Sequence, residues 1–137
     1  MSRQVVARTS EVRPGACTII SARRREIGLF NLGGEYFALA NRCPHKGAEL
    51  CRGMIVGLPQ SNAPGEYHLS HRGEFIRCPW HGWEFDIRTG QSWCDPKSLR
   101  ARHFEVAVAP GSELLKGPYV ADTFPVSIEE EYLLIDL

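Results

Sequence analysis

What the sequence lacks narrows it first. No stretch of the 137-residue chain approaches the roughly 18 uninterrupted apolar residues of a membrane span, and the N-terminal MSRQVVARTSEVRPG has neither an apolar h-region nor a small-residue cleavage site. These absences lead to the expectation of a soluble, cytoplasmic chain that engages no membrane. Net charge is missing as well. Lys plus Arg equals Asp plus Glu at 16 each, so no overall field points to nucleic acid or an anionic surface. Local charge remains, with Arg42, Lys46, Arg52 and Arg77 near two Cys-Pro segments and an acidic run at Glu129 to Glu131. No segment of ten or more residues carries a helical apolar period, which leaves little room for helix.

The cysteines exclude one more class. There are five, Cys17, Cys43, Cys51, Cys78 and Cys94, an odd set in a chain with no export signal. That disfavours a disulfide framework and favours ligand chemistry for some of them. Cys51 and Cys17 are expected to be small buried hydrophobes, and Cys94 to sit in a turn at Trp93 to Pro96.

What is present is a succession of short strands broken by turns. Residues 16 to 21, 26 to 32 and 35 to 40 are apolar and partly β-branched or aromatic, and Gly33-Gly34 is a two-residue hairpin signal. Glu74 to Arg77 and Glu84 to Ile87 read as strands flanking a tip at 78 to 83, with Thr89-Gly90 as the next turn. HFEVAVA at 103 to 109 alternates with period two, and YLLIDL at 132 to 137 reads as a closing strand beside FPVSI at 124 to 128. Residues 53 to 73 are rich in glycine, proline, serine and asparagine and read as a surface excursion. The fold class is therefore all-β, a small sandwich or barrel, in a single domain over residues 1 to 137.

Two segments carry chemistry. CPHKGAEL at 43 to 50 and CPWHGWEF at 78 to 85 each open with Cys-Pro and follow a histidine closely with glycine. Thiolate and imidazole are the side chains that bind borderline and soft transition metals well, and Cys43, His45, Cys78 and His81 supply two of each. Such a set can hold one tetrahedral zinc, or a two-iron cluster gripped by cysteines on one iron and histidines on the other.

The pattern Cys43-Pro-His45-x-Gly47-Ala48 and Cys78-Pro-Trp80-His81-Gly82-Trp83, followed by Phe85-Asp86 and Thr89-Gly90, resembles the Rieske iron-sulfur domain. It is most similar to Rieske-type ferredoxins and the N-terminal domains of aromatic-ring-hydroxylating oxygenases. The resemblance implies a 2Fe-2S cluster on Cys43, His45, Cys78 and His81, with Gly47, Trp80, Gly82 and Trp83 around it. It also implies a Rieske-type β-sandwich or barrel whose two loops form a cluster-binding part over about 41 to 95. His45 and Cys78 stand further apart than is usual in the family, so 53 to 73 reads as an insertion. Respiratory members carry a cysteine in each loop where this chain has Ala48 and Trp80, and a serine and a tyrosine where it has Trp83 and Phe85. Without those groups the potential is expected toward the lower end of the Rieske range.

The expected function is one-electron carriage from a reductase to an oxygenase-type acceptor. The chain would then be a component of an oxygenase system, with no catalytic residue of its own. Two rival readings stand beside it: a small subunit or regulator of a Rieske oxygenase, and a structural Cys2His2 zinc module. Trp80 and Trp83 are expected to shield the cluster and pack on the base, and His103 to be a strand-edge residue.

Overall fold

The computed structural model describes residues 3–44, 47–63, 66–80, 83–92, 100–115, 127 and 129–136, with 57–63 and 66–73 described by their backbone. In chain order the elements are β1 (Arg3–Arg8), β2 (Cys17–Ala22), β3 (Arg25–Leu32), β4 (Glu35–Ala40), β5 (Met54–Ala63), β6 (Glu66–Arg77), β7 (Glu84–Asp86), β8 (His103–Phe104), β9 (Val106–Pro110), α1 (Gly111–Leu115) and β10 (Glu131–Asp136). They form three antiparallel sheets, ordered β1-β10-β9, β2-β3-β4-β8 and β5-β6-β7. The all-β expectation is borne out, and the only α-helix among the described residues spans five residues, beside two three-residue 3-10 turns, Thr9–Glu11 and Leu50–Arg52. No helix among them is long and apolar enough to cross a membrane.

The four-stranded sheet is the middle layer because it is apolar on both faces. Side chains alternate sides along a strand, so a doubly covered strand reads as a continuous apolar run. In β3, residues 27 to 30 are buried without a break. Ile27 and Leu29, with Ala38 and Phe104, pack on Leu133 and Ile135 of the first sheet. Phe30 and Leu39 face the other way, onto Ile76 and Phe85 of the third sheet. β10 divides in the same manner, with Tyr132 and Leu134 turned toward Val5, Ala109 and Leu114 of α1. The polar end of buried Tyr132 is satisfied, since its hydroxyl accepts from the Ser127 amide at 2.5 Å and donates to Glu130 at 3.3 Å. Truncating one of these buried aliphatics to alanine costs about 2–5 kcal/mol by the general behaviour of packed cores.

Gly33-Gly34 forms the hairpin its composition announces. Both residues have positive φ, 63° and 94°, as a two-residue turn matched to strand twist requires, and Leu32 pairs with Glu35 across it.

Elsewhere the strands depart from the expectation. HFEVAVA is two strands on two sheets: β8 pairs with β4 and β9 with β10, and exposed Glu105 is the crossing residue. Alternation persists through the switch because the pleat continues whichever partner supplies the hydrogen bonds. The N-terminal QVVAR, with Val5 and Ala7 buried, is an additional strand. β10 has β1 on one side and β9 on the other; of the FPVSI segment, 124–126 and 128 lie outside the described residues. The excursion at 53 to 73 is a ladder, β5 against β6, with register shifts between Val56 and Leu58 and between Gln60 and Ala63. Its Pro59 is tolerated because β5 is the edge of its sheet.

Two glycines separate backbone strain from crowding. Gly90 has φ 80° and an added Cβ would collide with the Ala101 carbonyl, whereas Gly33 has φ 63° and open space around it. Gly33→Ala should cost only the left-handed penalty of about 1–2 kcal/mol, and Gly90→Ala clearly more, because Ala101 must also move. Thermal unfolding midpoints should therefore fall in the order wild type, Gly33→Ala, Gly90→Ala; equal midpoints for the two variants would contradict the packing.

Candidate metal centre

The two Cys-Pro loops are closed by the same hydrogen bond. The Cys43 amide donates to the Ala48 carbonyl at 2.7 Å, and the Cys78 amide donates to the Trp83 carbonyl at 2.6 Å. In each loop the acceptor stands five positions after the cysteine, although the histidine offset differs. The first loop tightens further where the Gly47 amide donates to the Cys43 carbonyl at 2.7 Å. Gly47 has φ 80°, so it is the left-handed backbone that calls for glycine there. The second loop is the tip of the β6–β7 hairpin, whose last rung pairs Arg77 with Glu84 through an ion pair at 3.7 Å.

The first loop hangs from β4 through Asn41, itself only 6% exposed. The Asn41 amide donates to the Glu26 carbonyl at 2.9 Å and its side-chain Nδ2 to Glu26 Oε1 at 3.1 Å. Its Oδ1 accepts from the Cys51 amide at 2.8 Å, at the far end of the loop. A buried amide with its donors and acceptor engaged fixes both feet of the loop against the sheet.

Cys43 and Cys78 are 0% and 2% exposed and neither is in a disulfide. They sit in one core cluster with Leu50, Ile76, Phe85 and Ile87. Burial pushes the Cys78 thiol up; a hydrogen bond from the Trp80 amide pulls it down, and the adjoining Cys43 pushes it up again. Two dry, adjacent sulfurs cannot both ionise unless a cation joins them. Soft thiolates paired in this way suit an iron or zinc ion, and the amide aimed at sulfur suits a thiolate ligand. The residues present therefore fit a metal-sulfur group. His45, His81, Gly82 and Lys46 lie outside the described residues.

The two tryptophans part company. Trp83 is half-buried against the core, whereas Trp80 is 53% exposed beside Cys78. Ala48 and Phe85 are buried and bring no thiol or hydroxyl to the loops. Around them Arg52 is paired with Glu49 at 2.7 Å. His103 is exposed on β8 at the edge of its sheet, 3.6 Å from Glu105.

One expectation fails. Cys51 is not a buried thiol: it forms a disulfide with Cys17 on β2. Odd-number arithmetic says that not every cysteine pairs, and it cannot exclude one pair among five. The sequence did carry a signal in Gly28, a glycine in the middle of a core strand. A Cβ there would lie 2.5 Å from Cys17 Sγ and 2.6 Å from Cys51 Sγ.

Comparison with known proteins agrees with this geometry. The ferredoxin component of the naphthalene 1,2-dioxygenase system of Pseudomonas aeruginosa is 26% identical over 127 residues, covering 93% of this chain and 88% of that protein. The ferredoxin subunit of 3-phenylpropionate/cinnamic acid dioxygenase from Photorhabdus laumondii is 30% identical over 87 residues, 64% of this chain and 69% of that protein. In fold, the Sphingomonas yanoikuyae B1 ferredoxin superposes with a TM-score of 0.63 over 99% of both chains at 21% identity. Residues 2–109 match the family profile of the Rieske [2Fe-2S] domain. Buried paired thiols on matched loops, two packed sheets that each carry one of them, and a profile match across most of the sequence lead to one conclusion: the chain belongs to the Rieske 2Fe-2S family.

Proposed function

We propose that this protein is a Rieske-type ferredoxin that passes single electrons from a reductase to an oxygenase of a dioxygenase system. The observation that carries the reading is the pair of buried, unbridged cysteines on two loops closed by the same amide-to-carbonyl bond. Cys43 and Cys78 would hold one iron, and His45 and His81 the other. When bound, the 2Fe-2S cluster takes up and releases one electron.

The rest is the work of the polypeptide. The core around Cys43 and Cys78 excludes water, the Trp80 amide stabilises negative charge on sulfur, and Gly47 shapes the first loop. Exposed Trp80 is the contact a docking partner meets beside the cluster. We read the location as cytoplasmic, the chain as one domain with its cluster-binding part over about 41–95, and the outer part of the β5–β6 hairpin as the insertion.

Cys43→Ser or Cys78→Ser should abolish the cluster, taking iron from about two per chain to near zero. Iron and zinc quantified on one anaerobic sample, with electron paramagnetic resonance after dithionite reduction, checks this. A rhombic signal averaging below the free-electron value supports the reading; an iron-free, zinc-loaded protein that iron and sulfide cannot reconstitute makes the loops a structural zinc site.

Because Ala48, Trp80, Trp83 and Phe85 add neither an inter-loop disulfide nor a hydroxyl, redox titration should place the potential in the lower half of the roughly −150 to +300 mV Rieske range. An upper-half value would mean another donor reaches the sulfurs. Trp80→Ala should weaken binding to the oxygenase by about five- to thirtyfold with the resonance signal unchanged. Unaltered binding would remove Trp80 from the interface.

A further inference from the structure

The disulfide and the glycine opposite it stand outside the electron-carrier reading. β3 runs through the middle sheet, yet at Gly28 it gives up a side chain where the Cys17–Cys51 bond passes. Cys51 belongs to a 3-10 turn, Leu50–Arg52, directly after the first loop. That turn is wedged between the feet of both loops. Leu50 is 1% exposed and packs in the cluster that contains Cys43, Cys78 and Phe85. The Cys51 amide is held by Asn41. Gly53, the next residue after the turn, lies so close to the Arg77 carbonyl that a Cβ would collide with it, and Arg77 immediately precedes Cys78. The disulfide is the covalent tie from this wedge to β2, an edge strand of the base. Neither of its cysteines is fully buried.

We propose that Cys17–Cys51 is a thiol-exchangeable clamp on the metal-holding loops. Closed, it pins the wedge beneath both loops; opened by a dithiol, it lets the wedge move and the metal group leaves faster. The exchange balances. A thiolate of the dithiol attacks one sulfur, the other cysteine departs as a thiolate, and the second thiol of the reagent closes its own ring disulfide while releasing the first cysteine. Two electrons pass from the dithiol to the pair, and the two cysteines end as thiols. A small disulfide such as oxidised glutathione reverses the step by the same route.

The clamp rests on the proposed site for its readout, while the bond itself does not. The test uses whole protein with bound metal, purified without reductant. Acid-quenched, alkylated peptides are mapped for a 17–51 link before and after dithiothreitol, and again after oxidised glutathione. On the same samples, metal content, release of metal to a chelator and the thermal midpoint are followed. Cys17→Ala/Cys51→Ala is the control for direct attack of the reagent on the metal group; should it fail to accumulate, Cys17→Ser replaces it.

The expected result is a linked peptide that dithiothreitol opens, metal release faster by about fivefold and a midpoint lower by about 5 °C or more, with no response in the control. Peptides unlinked both as purified and after oxidised glutathione would overturn the proposal. So would a linked peptide whose opening leaves release unchanged. A zinc-loaded protein would sink the electron-carrier reading alone, because the chelator still reports whether the clamp holds the loops.

Discussion

Everything at the functional end of this protein depends on burying two cysteine sulfurs side by side. Cys43 and Cys78 are dry, and the third sheet together with one face of the middle sheet supplies the apolar walls. Such a pair carries charge only against a cation. The loops therefore store an electrostatic demand that a metal group meets. Their backbones are drawn tight by hydrogen bonds that do not depend on the metal, from the Cys43 and Cys78 amides to the Ala48 and Trp83 carbonyls. A repeated loop is the economical way to present two thiolates to one group.

The base beneath the loops explains how they keep their relative position. One loop departs from β4 in the middle sheet and the other from β6 in the third, so the distance between them is set by how two sheets pack. Phe30 and Leu39 on one side and Ile76 and Phe85 on the other are that packing. Asn41 and the Leu50–Arg52 turn then lock the first loop to the middle sheet.

Much of this was legible in the sequence, and the failures have physical causes. The Gly33-Gly34 hairpin and the strands around the second loop were readable because turn chemistry and pleat alternation are local. The pairing of Cys43 with Cys78 was readable because the Cys-Pro loop occurs twice. The division of HFEVAVA between two sheets was not readable, since alternation does not name a partner strand. The β5–β6 ladder was hidden under turn-like composition, because backbone pairing on an edge strand tolerates Pro59 and its neighbours. The Cys17–Cys51 bond joins residues with a sequence separation of 34, and its only local trace is the missing side chain at Gly28. Trp80 and Trp83 looked alike in the sequence, yet one is outward and one inward, because Trp80 rides on the loop tip while Trp83 enters β7.

The sheet switch at Glu105 has a mechanical consequence. A single residue separates β8, which belongs to the middle sheet, from β9, which belongs to the first, so the two layers are stitched at that corner and cannot slide past one another. A centre that gains and loses an electron works fastest when its surroundings hardly rearrange between the two charge states. Because β8 pairs with β4, the strand from which the first loop hangs, this corner braces the support of that loop against the first sheet.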